Sequence, residues 1–160
     1  MSISKEDFRA ALSRFASGIT VVTSVDSSGR PHGMTVSAFC SVSLEPTLVL
    51  VCISKDTGSH TSIAESQKFA VNILNEDQTE LSERFSAPIE DRFSETEYHD
   101  GTSGLPLLNG ALASMECRLL HSYSGGDHTI YVGEIEAAYV EDGKPLLHFR
   151  GEYDRIGDQL

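Results

Sequence analysis

The chain predicts a mainly β domain, a β-barrel with a few short helices, and three observations carry that expectation. β-branched and apolar runs recur between turn residues, helical spacing is confined to three short stretches, and the strand–helix alternation of a doubly wound sheet is missing. Many strands joined by hairpin turns favour closure, because a closed barrel leaves no exposed sheet edge. At 160 residues, one domain spanning 1–160 with one apolar core is expected.

Ser4, with Asp7 three residues on, forms a capping-box-like start. Phe8, Leu12 and Phe15 then fall at i, i+4 and i+7, which predicts a short amphipathic helix ending near Gly18. Residues 19–25 are rich in β-branched side chains and break at Asp26-Ser27-Ser28-Gly29, after which extended structure resumes through Val36 as a hairpin. A third strand is predicted over 47–53 and a fourth over 68–74, with a helical pattern between them at about 59–66. Asn75 as cap and Gln78 at the reciprocal position open a further helix, with Leu81 and Phe85 on its buried face and its end around Phe85. Residues 87–109, rich in Pro, Gly and acidic groups, read as a long irregular excursion of the kind that serves a site or a partner. Three more strands follow over 111–122, 128–140 and 146–149, with turns at Gly125-Gly126 and Asp142-Gly143.

Composition excludes several classes of function. A net charge of −12 argues against nucleic acid, which is held chiefly by Lys and Arg neutralising phosphates. Cys40, Cys52 and Cys117 are odd in number and form no Cys-x-x-Cys pair, so they read as small residues in a reducing compartment rather than a disulfide framework or zinc site. His32, His99, His121 and His148 show no paired ligand spacing, and no metal is expected. Charge at Lys5, Glu6, Asp7 and Arg9 is wrong for a secretory signal, and no apolar run approaches the roughly 20 residues that span a bilayer. A soluble, cytoplasmic protein without a membrane role is expected. Gly101-Thr102-Ser103-Gly104 and Gly125-Gly126 do not make a Gly-x-Gly-x-x-Gly, so a Rossmann mode of dinucleotide binding is not expected.

Small hydroxyl residues in Gly33-Met34-Thr35-Val36-Ser37-Ala38-Phe39-Cys40-Ser41-Val42-Ser43-Leu44-Glu45-Pro46 run straight into the apolar strand ending at Cys52-Ile53, and Gly125-Gly126-Asp127-His128 opens a later strand. In order and with sensible spacing from Phe8 to Tyr153, these blocks resemble the short-chain NAD(P)H:flavin oxidoreductases, the reductase components of two-component flavin monooxygenases. The resemblance implies an FMN-binding split barrel of Greek-key type and a homodimer with flavin in a groove at its interface. It further implies FMN or FAD as acceptor, NADH or NADPH as hydride donor, and a separate flavin-dependent monooxygenase that receives the reduced flavin.

Hydride transfer between two rings asks for alignment at roughly 3 to 3.5 Å and exclusion of water, not for a protein nucleophile. By the resemblance, Met34, Thr35, Val36, Ser37, Ala38 and Ser41 lie along the isoalloxazine and ribityl chain; an inner strand and its turn is the plainer alternative. Cys52 leads into Ser54, Lys55, Ser59 and His60, where the resemblance puts the flavin phosphate and where a helix start offers N–H groups; an ordinary Ser-capped helix is the alternative. Asp56 beside Lys55 departs from what a phosphate site favours. The chain's negative charge makes such a locally favourable site necessary, with Lys55 and Arg92 as leading cations. His128 is implied to position the nicotinamide, and Phe85 and Tyr153 are aromatic walls or core residues. A non-catalytic flavin carrier or sensor on the same barrel, and a split-barrel oxidase acting on a pyridoxine-type phosphate, are the rival readings.

Overall fold

The computed structural model describes residues 3–157. The chain opens with helix α1 (Lys5–Leu12), capped by the Ser4 hydroxyl, which accepts from Asp7 N at 3.0 Å. α1 stops short of Gly18: Ser13 closes it, and β1 (Ser17–Gly18) follows. β2 (Thr20–Val25) and β3 (Pro31–Val36) form the expected hairpin. Its turn is held by the Asp26 carboxylate, which accepts from Ser28 N at 2.9 Å, Ser28 Oγ at 2.6 Å and Arg30 N at 3.0 Å, while Gly29 supplies a φ of 82°.

β4 (Phe39–Leu44) and β5 (Thr47–Ser54) come next, then α2 (Gly58–Ser66), β6 (Lys68–Ile73) and α3 (Thr79–Ser86). The excursion that follows carries two short strands, β7 (Tyr98–Asp100) and β8 (Pro106–Leu108). β9 (Ala113–Gly125) and β10 (His128–Val140) make a long bulged hairpin, and β11 (Leu146–Phe149) pairs with β12 (Glu152–Arg155).

The main sheet runs β3-β2-β6-β9-β10-β5-β4, antiparallel throughout. One cluster unites Val36 of β3, Val22 of β2, Phe69 and Val71 of β6, Tyr131 of β10 and Val49, Val51 and Ile53 of β5. Residues near opposite ends of the sheet share that core, so the sheet is curled into a barrel. β2 and β6 are buried on both faces, because Val21 of β2, with Ile19 and Leu74 just beyond the strand ends, packs outward against Phe85 of α3, Phe93 and Leu146. That double burial is why both read as continuous apolar runs rather than alternating ones. Asn72 crosses the second layer: its amide donates to Val21 O at 3.1 Å and Thr23 Oγ1 at 3.3 Å, and its oxygen accepts from Leu108 N at 3.0 Å and Ser114 Oγ at 2.8 Å. Every hydrogen-bonding site of this buried amide is engaged, which removes the penalty of burying it.

Several expectations need correction. β4 was not expected as a strand, since its polar Cys40–Ser43 stretch lacks the alternation of a half-buried strand; it is an exposed edge strand. The excursion is partly ordered because Leu105, Pro106, Leu107 and Leu108 are all buried over β2 and β6. β1 and β12 are too short for periodicity to reveal. α2 is capped by Thr57 rather than by a serine, and α3 starts at Thr79 after Gln78, not at Asn75. The Gln78 side chain does reach back to Asn75 N at 3.0 Å, so the reciprocal bond exists without the helix turn expected from it.

Gly133 of β10 shows how tightly the barrel is filled. A Cβ there would lie 2.6 Å from Phe69 Cζ and 2.9 Å from Cys117 Cβ, both inside the core. Gly133→Ala is expected to cost about 1–3 kcal/mol by overpacking, read as a lower midpoint in urea unfolding at unchanged slope.

Candidate functional site

Three chain segments meet at one end of the barrel. The β3–β4 turn exposes Ser37 and Ala38, and Cys52 N donates to Ala38 O at 3.0 Å, which lays this turn beside the end of β5. The β9–β10 hairpin arrives at the same place, since His128 is the cross-strand partner of Ser54. Lys55 fastens the join: its backbone N donates to Asp127 O at 3.0 Å, and its ammonium donates to Ser124 Oγ at 2.9 Å and Gly126 O at 2.6 Å. α2 starts three residues later, with Thr57 Oγ1 donating to Ser54 O at 2.8 Å and accepting from His60 N at 3.3 Å. The first N–H groups of a helix lack intrahelical acceptors, so this corner offers donors and positive potential to an anion.

His128 stands at the mouth of the hairpin with its side chain 45 % exposed. Its Nδ1 is 2.7 Å from Asp127 Oδ1. The hydrogen bond from His128, reinforced by its charge when protonated, holds the Asp127 carboxyl below the usual carboxylate range. An ionised carboxylate only accepts, so Nδ1 carries the hydrogen and Nε2 is left facing outward as the free nitrogen.

The sequence-predicted residues divide into three groups. Ser37 and Ala38 are exposed on the turn; Met34 and Cys52 are half-buried beneath it, with Thr57 Oγ1 3.7 Å from Met34 Sδ. Ser41 is exposed further along β4. All of these but Ser41, which pairs with Val49 and so lies five residues along β5 from Ser54, are brought together with Ser54, Lys55 and His128. A second group is adjacent but occupied. Val36 and Ser59 are 4 % and 3 % exposed, so they can meet a ligand only through the backbone. Thr35 donates to Ser82 O at 2.6 Å, towards α3. His60 Nε2 is 2.9 Å from Thr129 Oγ1, and its carbonyl accepts from Tyr131 OH at 3.2 Å.

The third group is placed elsewhere. Phe85 has no exposed surface and packs edge-on to Phe93 at 5.1 Å, so it is core and not an aromatic wall. Tyr153 OH meets Ser82 Oγ at 2.9 Å, and its ring packs on the same cluster, on strand β12 rather than over the groove. Arg92 donates to Ala87 O at 3.1 and 2.7 Å and to Gly33 O at 2.9 Å, which makes it a clamp on its own loop. Phe85 and Tyr153 are held in the α3 cluster, whereas Arg92, turned to the carbonyls of Ala87 and Gly33, lines a cleft that it shares with Gly58 at the head of α2. Sequence reasoning missed Thr57, Ser124 and Asp127 as positioning residues. A Thr immediately before Gly58 and an Asp immediately before His128 were the available signals.

Residues 12–157 match the family described as the flavin reductase like domain. The reductase component of 4-nitrophenol 4-monooxygenase/4-nitrocatechol 2-monooxygenase from Rhodococcus opacus is 38% identical over 151 residues, covering 94% of this chain and 80% of that one. FMN reductase (NADH) SmoA from Agrobacterium fabrum is 41% identical over 152 residues, covering 95% and 86%. Among solved structures, the NADH:FAD oxidoreductase SgcE6 from Streptomyces globisporus, in complex with NAD and FAD fragments, superposes with a TM-score of 0.92 at 35% identity, covering 99% of this chain and 98% of that chain.

Proposed function

Because this chain belongs to the flavin reductase like domain family, we propose that it is a flavin reductase that uses NADH to reduce FMN or FAD and supplies reduced flavin to a separate monooxygenase. The observation that carries this reading is the convergence of an exposed small-residue turn, a helix start and the oriented His128 at one end of the barrel. The residues fit a flavin: Ser37 and Ala38 leave backbone accessible to a flat ring, and Thr57 with the head of α2 suits its phosphate. When bound, the flavin supplies the hydride acceptor. The protein's part is alignment and dryness, with Lys55 fixing the hairpin, Asp127 fixing the His128 ring, and Nε2 of that ring free to accept from a carboxamide N–H.

A homodimer belongs to the same proposal. α1 buries none of its residues and leaves Phe8 and Leu12 exposed, with Phe15 exposed just beyond it, while Leu44 on the edge strand is 88% exposed. Apolar surface of that kind marks an association face, and sedimentation equilibrium should return twice the chain mass. No helix among the described residues is long and apolar enough to cross a membrane. A single domain working in the cytoplasm, with three free cysteines, completes the reading.

The test is anaerobic stopped-flow absorbance of flavin bleaching near roughly 450 nm, pairing NADH and NADPH with FMN and FAD. Rapid multi-turnover bleaching with NADH is expected; flavin binding without bleaching would favour a carrier or sensor. His128→Ala is expected to raise the KM for NADH about tenfold, the worth of one positioned hydrogen bond, while FMN affinity holds. Unchanged KM and turnover would remove His128 from its role.

A further inference from the structure

A cavity of about 260 Å³ lies at the end of the β9–β10 hairpin remote from His128. Tyr139 on its wall stands eleven residues along β10 from His128, about 35 Å at the ~3.3 Å rise of a strand. The cavity shares no lining residue with the cleft that Arg92 and Gly58 line, and its His99 follows that cleft's Tyr98 in β7, where successive side chains face opposite sides of the strand. The hydride site gives this cavity no role.

Its volume falls below the range of about 300–1,000 Å³ usual for drug-sized ligands, yet exceeds the ~150 Å³ in which an apolar cavity holds benzene. One substituted ring fits; a fused flavin or a dinucleotide does not. The floor is apolar, made by Leu107, Leu108 and Ala111, which are 1%, 2% and 6% exposed. Tyr139 is 41% exposed, and its OH donates to Glu116 Oε2 at 3.3 Å, so a buried carboxylate steadies a ring whose surface stays open to a second ring.

The polar groups decide what that ring carries. His99 Nδ1 is 2.8 Å from Asn109 Oδ1, which can only accept, so Nδ1 bears the hydrogen and Nε2 is an acceptor. Glu141 on the rim is exposed and adds a carboxylate. Two acceptors and a negative charge favour a ligand that donates and disfavour an anion.

We propose that this cavity binds a single-ring aromatic carrying a hydroxyl or amino donor, with the ring beside Tyr139 over the leucine floor and the donor towards His99 and Glu141. Phenols and anilines share that chemistry. The proposal does not rest on the flavin reductase reading, and bleaching of FMN by NADH tests that reading without touching it.

The test is titration of phenol and of aniline, each separately, into the flavin-free protein, followed by ¹H–¹⁵N NMR with benzoate as the anionic control. Backbone amides of Leu107, Ala111 and Tyr139 are expected to shift along one saturating curve with a Kd on the order of 1 mM, while those of Ser54 and His128 stay still. The tighter of phenol and aniline names the preferred donor, and benzoate is expected to bind at least about tenfold more weakly. His99→Ala and Glu141→Gln alter exposed side chains, and each is expected to weaken binding about fivefold, the worth of one hydrogen bond. No saturable shift at the cavity up to roughly 20 mM of either ring would overturn the proposal. So would shifts confined to Ser54 and His128, benzoate binding as tightly as phenol and aniline, or an unchanged Kd in both variants.

Discussion

Glu116→Ala is expected to destabilise the protein by roughly 2–4 kcal/mol, because it strands several donors around one buried carboxylate. Glu116 on β9 has no exposed surface. Its Oε2 accepts from Thr102 N at 3.0 Å, Thr102 Oγ1 at 2.7 Å and Tyr139 OH at 3.3 Å, and its Oε1 accepts from Ser103 N at 2.7 Å. Gly101 permits the approach, since a Cβ there would lie 2.6 Å from the carboxyl carbon. Burial pushes the Glu116 pKa up, but the hydrogen bonds from Thr102 and Ser103 outweigh it and hold the group below its ordinary value of 4.5. A depressed folded pKa means that the ionised form is favoured by folding. Its contribution is therefore complete above about pH 4.5 and is lost as pH falls from there through the folded value. Glu116→Gln should lose less than the alanine variant, since an amide still accepts through one oxygen but sets its NH₂ against a donor. It should also flatten the acid limb of stability, read by urea unfolding at pH 7 and at lower pH. An acid limb identical to wild type would assign that pH dependence to other carboxylates.

Phe85→Ala carries the other large effect, about 3–5 kcal/mol, as expected for emptying a fully buried aromatic site. The ring fills the space between α3 and β3, where a Cβ on Gly33 would come within 2.6 Å of Phe85 Cε1. FMN affinity of the folded fraction should hold, because nothing of Phe85 reaches the groove. A small stability loss with weakened flavin binding would reverse the assignment and make the ring a cofactor wall. Gly33 and Phe85 are thus a complementary pair, one lacking a side chain where the other needs room.

Much of the site was legible in the sequence because its parts are local. The small residues of the β3–β4 turn, the Ser54 to Ser59 block entering a helix and the Gly-Asp-His hairpin each have a pattern that a short window contains. Local patterns also fixed the β2–β3 hairpin, α2, β6 and the long β9–β10 pair, whose turn residues and periodicity lie within a few positions of each other. The resemblance over nearly the whole chain then supplied the family, which the match over residues 12–157 shows.

What tertiary structure alone decided is which side of β3 each distant residue occupies. Phe85 and Tyr153 carry the residue types of a cofactor site, yet α3 and β12 hold them in the cluster around Leu81 and Leu146, while Arg92 is bound to the carbonyls of Ala87 and Gly33 at a cleft edged by Gly58 of α2. Edge strand β4 and the buried strip from Leu105 to Leu108 were hidden for related reasons. Their partners lie far away in sequence, and burial or exposure there is set by those partners rather than by any periodicity of their own. Composition shows that the chain is acidic and the pattern of its apolar runs that it is mainly β; only the folded chain brings Arg30 and Arg92 to one cleft, neither paired with a carboxylate among the described residues, because pairing is a matter of distance in space and sequence order does not encode it directly.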